Sequence, residues 1–401
     1  MTIEIHSLTC ADLAAARREL AAVGASPPGL KLMAPKAVHR LIKLSGLDPR
    51  QATIIKQEML AAGGDAATHR GVVDGSAPAS DCVLMGTFRQ YELFCAKLRM
   101  QPFGLAALAD RIRRTLDHLE GGAVFRLDCR GGELVLGERT LVMGILNVTP
   151  DSFSDGGRYL DPGRALEHAQ AMVEDGADII DLGGESTRPG YHPVEADEQI
   201  RRIMPVLKQL VNRLTVPVSV DTSSAAVARA ALEAGAHIVN DQWALTADAE
   251  MAGVVARYGA PVVLMHNRTE TTYRDLMGEI VSFLRHSIEL GERAGIRREQ
   301  MVVDPGFGFG KTPAQNLAVL ARLRDLACLG RPVLVGTSRK SMIGKVLDLP
   351  PGDRVEGTAA TVALAVAGGA AVVRVHDVRE MARVAKMADA VCRGPGGGPP
   401  A

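Results

Sequence analysis

Short apolar runs recur about every 20 to 40 residues through the larger, C-terminal part of the chain, and each ends in polar or charged residues. The runs are Leu141 to Leu146, Asp178 to Leu182, Val216 to Val220, His237 to Val239, Pro261 to Met265, Met301 to Val303, Pro332 to Val335 and Ala371 to Val375. They end in Asn147, the Glu185-Ser186-Thr187-Arg188 loop, Asp221, Asn240, His266, Asp304, the Ser338-Arg339-Lys340 turn, and Arg374 with His376. Helical stretches such as Ala165 to Asp175, Val227 to Ala234, Ile280 to Ala294 and Ala359 to Ala367 alternate with them. A right-handed βα array of that length closes into a (β/α)8 TIM barrel. Side chains that follow its strands converge above the C-terminal face, so residues far apart in sequence share one ligand and an enzyme is expected.

The chain has 401 residues, room for one barrel of about 250 residues and a smaller unit. Residues 1–120 carry no βα repeat. Asp12 to Val23, Pro35 to Leu44, Asp48 to Ala62 and Leu105 to Leu119 read as helices and Asp81 to Gly86 as a strand, which predicts a separate small α/β domain. Its Gly63-Gly64-Asp65 turn, with Lys56 and Arg70, reads as a solvated turn rather than a ligand site, and the sequence assigns this domain no role. Alternating runs between Ala123 and Glu138 flank Arg130-Gly131-Gly132-Glu133, the chemistry of a β-hairpin placed to plug the barrel's N-terminal end. The barrel domain is expected over 121–392, followed by a Gly/Pro-rich tail, 393–401, unable to pack.

Charge excludes two function classes. With 46 basic against 46 acidic residues there is no electrostatic footprint for nucleic acid or an anionic membrane. The six cysteines lie too far apart for a CxxC metal site and read as reduced, mostly buried thiols. The N-terminal residues have neither a basic n-region nor an apolar h-region, so a cytoplasmic location is expected.

Several segments carry chemistry. Asn147 to Gly157 is a polar loop with one aromatic, Phe153, suited to opening and closing over a flat ligand. Gly183 to Gly190 combines glycines with Arg188, a carboxylate or phosphate partner. In Asp304 to Lys311, alternating glycines let backbone approach a ligand while Phe309 offers a stacking ring. Gly336 to Ser341 sets a lysine and hydroxyls at a strand-to-helix junction that favours an anion. Arg374 and His376 occupy alternating strand positions and can grip one phosphate together. Asp221, Asn240 and Asp304 are carboxylate and amide groups at strand ends, where burial demands partners. Either they bond one another and loop amides, or they meet a nitrogen heterocycle whose amino-pyrimidinone edge offers matching donors.

Together, Asn147 to Gly157, Glu185 to Gly190, Asn240-Asp241, Asp304 to Lys311, Ser338-Arg339-Lys340 and Arg374-Val375-His376 resemble the motif set of the dihydropteroate synthase family, over roughly residues 124–391. The N-terminal region resembles an extension found in some bacterial members. The resemblance implies a transferase of folate synthesis that joins 6-hydroxymethyl-7,8-dihydropterin pyrophosphate to 4-aminobenzoate. It implies that Asp221, Asn240, Asp304 and Lys340 bind the pterin, walled by Met265, Phe309 and Gly336. Thr187, Arg374 and His376 would hold the pyrophosphate and Asn147 would help bind Mg2+. Phe153, Arg188, Pro189 and Ser341 would enclose aminobenzoate, where sulfonamides would compete. Lys340, Arg374, His376 and Asp221 are the expected catalytic set, and a homodimer is the expected assembly.

One departure stands out. The family usually has an apolar residue after Asn-Asp and a glycine two residues later, whereas this chain reads Asn240-Asp241-Gln242-Trp243-Ala244. Ala244 then needs an allowed backbone conformation and Gln242 a partner, so the Asn240 contact is the one most exposed to change. Two other readings compete. A pterin-dependent methyltransferase would share Asp221, Asn240 and Asp304 but needs neither Ser338-Arg339-Lys340 nor the Thr149 to Gly157 loop; a non-catalytic pterin binder would not need a pyrophosphate grip.

Overall fold

The computed structural model describes residues 3–120, 122–148, 162–185 and 194–393, in two compact units that divide at Gly121 and Gly122. The smaller, N-terminal unit contains a three-stranded antiparallel sheet of β1 (His39–Leu47), β2 (Asp65–Thr68) and β3 (Ser80–Thr87), with β3 central. Helices Leu13–Ala22, Pro27–Ala37, Pro49–Ala61, Phe88–Leu98 and Leu105–Leu119 complete it. The predicted strand and three of the four predicted helices are present.

The fourth is corrected. Pro35 to Leu44 is not a helix: a helix ends at Ala37, and His39–Leu47 runs extended, His39 to Leu44 in unbroken register with β3. Ile42 is buried while Leu41 is 65% exposed, a period of two that three apolar residues in four had disguised as a helix face. The helix Phe88–Leu98 was not expected. It has a full capping box, Thr87 with Gln90, and buries Phe88, Tyr91, Phe94, Cys95 and Leu98 along one stripe.

The larger unit is the barrel. After the hairpin β4 (Phe125–Cys129) and β5 (Gly132–Leu136) come eight parallel strands: β6 (Leu141–Asn147), β7 (Ile179–Gly183), β8 (Val218–Asp221), β9 (Ile238–Asp241), β10 (Val262–Met265), β11 (Met301–Asp304), β12 (Leu334–Val335) and β13 (Val372–Val375). Their order is β11-β10-β9-β8-β7-β6-β13-β12, and a parallel bridge from Val303 to Val333 joins the two ends. The (β/α)8 expectation holds strand by strand.

Alternation along each strand sorts the side chains. Ile180, Leu182, Val218, Val220, Val239, Val303, Val373 and Val375 face outward into a core shared with the surrounding helices. Ile179, Ile238, Val263, Val302 and Leu334 face inward, where they meet Leu127 and Leu136 of the hairpin. Gln300, just before β11, accepts from the Asp128 N–H (2.9 Å) and donates to the Asp128 carbonyl (3.0 Å), which fixes the hairpin against the barrel's N-terminal end. Cys82, Cys95 and Cys129 are buried, Cys10 and Cys328 are half-buried and Cys392 is exposed; no disulfide joins any of the six, and half of them meet the expectation of burial. Among the described residues no helix is long and apolar enough to cross a membrane.

Candidate functional site

Two residues beyond the inward apolar positions, on the same side of each strand, the chemistry changes. Ile179 is followed by Asp181, Ile238 by Asn240, Val302 by Asp304 and Val372 by Arg374. Each strand's outward valines, leucines and isoleucines fix its register, so these polar groups have no choice but to enter the lumen.

They meet there. The Arg374 guanidinium donates through Nε to Asp181 Oδ2 (2.6 Å) and through Nη2 to Asp221 Oδ2 (2.7 Å). Asn240 Nδ2 donates to the same Asp181 oxygen (3.0 Å), and Gln242 Nε2 donates to Asp221 Oδ1 (2.5 Å). Asp304 accepts the Gly306 N–H at 2.7 Å. Burial pushes the Asp221 carboxyl up to about 6 against the pull of Arg374, with Asp181 pushing the same way. Burial likewise raises Asp304 to about 6, opposed by the Gly306 N–H and by Lys340. Arg374 is pulled down by burial, yet Asp181 and Asp221 hold it above its ordinary value, so it remains a cation.

Lys340 enters from the loop after β12. Its Nζ lies 4.5 Å from the centroid of the Phe309 ring, and burial lowers it to about 8, an effect Arg374 reinforces and Asp304 and Asp221 oppose. The preceding residue, Arg339, is left-handed at φ 57°, a strained conformation for a side chain of that size. It is held from two sides. Its guanidinium pairs with Asp377 (Nε to Oδ2, 3.0 Å), and Arg354 Nη1 donates to the carbonyls of Arg339 (2.9 Å) and Lys340 (3.3 Å). His376 Nδ1 lies 3.0 Å from Ser338 Oγ, which accepts the His376 backbone N–H at 3.1 Å. Burial, and then Arg374, lower His376 to about 3, so the ring is neutral.

The glycine-rich segment after β11 needs its glycines. A Cβ on Gly306 would sit 1.9 Å from the His266 carbonyl oxygen, and one on Gly308 would crowd Lys340 Cδ at 3.1 Å, both at positive φ. Lys311 fastens the segment from inside. Its ammonium contacts His266 Nδ1 (2.9 Å) and donates to the carbonyls of Gly306 (3.0 Å) and Phe309 (3.1 Å), which uses all three of its donors. Gly336 backs directly onto Arg374, and Met265 ends β10 as a buried wall. Ser341 opens the short helix Ser341–Leu347.

Asp221, Asn240, Asp304, Lys340, Arg374 and His376 are therefore brought together, and Asp304, Lys340 and His376 each feel the Arg374 charge. Asp181, Asp221, Asn240 and Asp304 each have at least one protein hydrogen-bond partner. Phe153, Thr187, Arg188 and Pro189 lie outside the described residues, as do most of the two loops that carry them and residues 394–401. The Gln242 departure has a clear reason, since its amide serves Asp221. Ala244 adopts φ 52° and is fully buried, and Asp241 secures the turn by accepting the N–H groups of Trp243 (2.9 Å) and Leu245 (2.6 Å). Sequence reasoning missed Asp181 and Lys311. Asp181 had a signal, a carboxylate inside the run Ile179-Ile180-Asp181-Leu182; Lys311 looked like the ordinary end of a glycine loop.

Comparison with known proteins agrees with this geometry. A family model described as pterin binding enzyme matches residues 143–376. The chain is 53% identical over 254 residues to the dihydropteroate synthase of Bacillus subtilis, spanning 63% of this chain and 89% of that one. It is 42% identical over 386 residues to a probable bifunctional folylpolyglutamate synthase/dihydropteroate synthase of Halobacterium salinarum, covering 94% of this chain, the N-terminal unit included, and 46% of that protein. A Clostridium difficile dihydropteroate synthase solved in the presence of pteroic acid superposes with TM-score 0.63 at 52% identity, over 64% of this chain and 98% of that one. A Xanthomonas albilineans dihydropteroate synthase solved with 4-aminobenzoic acid gives TM-score 0.65 at 45% identity, over 67% and 98%. A lumen that gathers two buried aspartates, an amide, a lysine and an arginine at the strand ends, matched over its length by these relatives, places the chain among the pterin binding enzymes, in the dihydropteroate synthase family.

Proposed function

We propose that this chain condenses 6-hydroxymethyl-7,8-dihydropterin pyrophosphate with 4-aminobenzoate, giving 7,8-dihydropteroate and pyrophosphate. The carrying observation is the meeting of Asp221, Asn240, Asp304 and Lys340 beside Arg374 in one lumen. Carboxylates and an amide oxygen accept the donors of a pterin's amino-pyrimidinone edge, and Lys340 supplies a donor for its acceptors. Met265, Phe309 and Gly336 wall the ring.

In the reaction the bond from the methylene carbon to pyrophosphate breaks, its electron pair leaving with the pyrophosphate. The aniline nitrogen then bonds that carbon and releases a proton. Asp221 and Asp304, ionised above about pH 6, stabilise the cation left on the pterin. Arg374 keeps Nη1 clear of both aspartates, and His376, neutral until a phosphate arrives, offers its Nε2; with Thr187 they hold the leaving group. Ser341, Phe153, Arg188 and Pro189 enclose aminobenzoate. No protein nucleophile is needed.

Asn147 would help hold a divalent ion: a Cβ on Gly183 would stand 3.0 Å from its Oδ1, and a hard amide oxygen suits Mg2+, which takes most of its remaining ligands from water and substrate phosphates. Bound there, Mg2+ would neutralise pyrophosphate charge.

The test is pyrophosphate release by the full chain, which should require both substrates. Absence of release over many turnovers with both substrates present would end this reading. Sulfonamides should compete with 4-aminobenzoate, and inhibition insensitive to its concentration would rule that out. A cytoplasmic homodimer completes the picture, because a pyrophosphorylated substrate does not cross a bilayer. Leu364, Met387 and Val391 are exposed apolar side chains on two packed helices, Val355–Ala367 and Val378–Arg393, suited to a partner. Light scattering at the mass of one chain would argue against the dimer.

A further inference from the structure

We infer that Asp181 is a positioning residue for this reaction, which fixes Arg374 and Asn240 through one carboxylate oxygen. The inference rests on the function proposed above.

Asp181 is wholly buried in the middle of β7. Its Oδ2 takes two donors at once, Arg374 Nε at 2.6 Å and Asn240 Nδ2 at 3.0 Å. Those two residues come from β13 and β9, on opposite sides of β7 in the sheet. A single atom thus sets the spacing between the amide expected to face the pterin and the guanidinium expected to face the pyrophosphate. Its other oxygen, Oδ1, has no hydrogen-bond partner among the described residues, and neither has the buried hydroxyl of Ser219, its register neighbour on β8.

A buried carboxylate with one unpaired oxygen carries a desolvation cost, which the two donors it accepts offset only in part. It is not required to neutralise Arg374, because Asp221 already pairs with the same guanidinium at 2.7 Å. Asp221 is engaged differently, by Arg374 Nη2 and Gln242 Nε2. With Asp181 in place Arg374 is held by two of its nitrogens, which fixes the plane of the guanidinium and the direction of its free Nη1.

The experiment is Asp181→Asn in the full chain, followed by thermal melting, steady-state kinetics and calorimetric titration with the pterin pyrophosphate. Three results are expected. The melting temperature does not fall. The value of kcat/KM for the pterin substrate drops on the order of a hundredfold while KM for 4-aminobenzoate is unchanged. The acidic limb of its pH profile moves to lower pH, because the Asp181 charge no longer pushes Asp221 upward. A merely structural role predicts the reverse, a lowered melting point with normal kinetics in whatever remains folded, and that result overturns the proposal. Asp181→Leu is the second variant: it strands the donors Arg374 Nε and Asn240 Nδ2, so it should melt lower than wild type, and it should bind the pterin pyrophosphate at least about tenfold more weakly in the protein that remains folded. Undiminished turnover or affinity in both variants sinks the role of Asp181 and leaves the functional reading standing. Should the unaltered chain bind the pterin but release no pyrophosphate, the functional reading fails instead, and the affinity comparison still decides for or against Asp181.

Discussion

At its N-terminal end the barrel lumen is filled by Leu127, Leu136, Met143, Ile179, Ile238 and Val302, whereas one layer further along the same strands it holds Asp181, Asn240, Asp304 and Arg374. The two layers are separated by about 6.6 Å, two residues at 3.3 Å each. Both are buried, so burial does not distinguish them. The difference lies in what burial does. Below, it stabilises by removing apolar surface from water; above, it raises two carboxyls to about 6 and lowers a lysine to about 8. The pleat lets one sheet run a stabilising layer and a destabilised, poised layer side by side without either disturbing the other.

That separation can be broken by mutation, and the largest effect is expected at the upper layer. Arg374→Ala should lower kcat/KM by on the order of 10²–10³ and also destabilise the chain by about 3–5 kcal/mol, because it strands two buried aspartates. Lys340→Ala should show a comparable kinetic loss with little loss of stability, since it removes a half-buried cation that forms no ion pair among the described residues. Assays paired with chemical denaturation would separate the two; equal destabilisation in both would erase the contrast. At the lower layer Leu127→Ala should cost about 2–5 kcal/mol of stability and leave kcat/KM within roughly twofold of wild type. A large kinetic loss there would mean that the layers are coupled.

The pH dependence sharpens the same comparison. For the pterin substrate, kcat/KM should rise through about pH 6 as Asp221 and Asp304 ionise and fall through about pH 8 as Lys340 loses its proton. Folding responds in the opposite sense on the acid side. The two carboxyls stand above their ordinary 3.8, so the folded state holds their protons more tightly, and the stability this lends in acid is lost as pH climbs from 3.8 toward about 6. Denaturation midpoints measured across that range should fall relative to those of Asp304→Asn, and parallel curves would contradict the assignment. The smallest effect is expected from Gln242→Leu, which removes one donor from Asp221 and should weaken pterin binding about three- to tenfold.

Much of this site is legible in the sequence itself. The strand-end residues could be read because parallel strands of a closed barrel oblige them to converge, whatever their separation along the chain. Asp181 could not be read in the same way. It sits inside its strand rather than at the end, and only the inward register, set by Ile180 and Leu182 packing outward, reveals that it lies beneath Arg374. Lys311 was hidden for another reason: a lysine at the end of a loop is ordinarily solvated, and nothing local announces that two carbonyls and a histidine will wrap it. The misread segment at Pro35 to Leu44 failed because His39–Leu47 owes its conformation to a partner strand some forty residues away, information that no local window contains.

The close approach of Gly306 to His266 bears on how this site can change over time. No side chain larger than hydrogen is admissible there, so the wall made by Phe309 and Lys340 is closed to gradual variation. Drift in ligand preference, or escape from an inhibitor, must therefore be written into other parts of the rim, and a tolerated substitution at Gly306 would have to arrive together with a rebuilt neighbour.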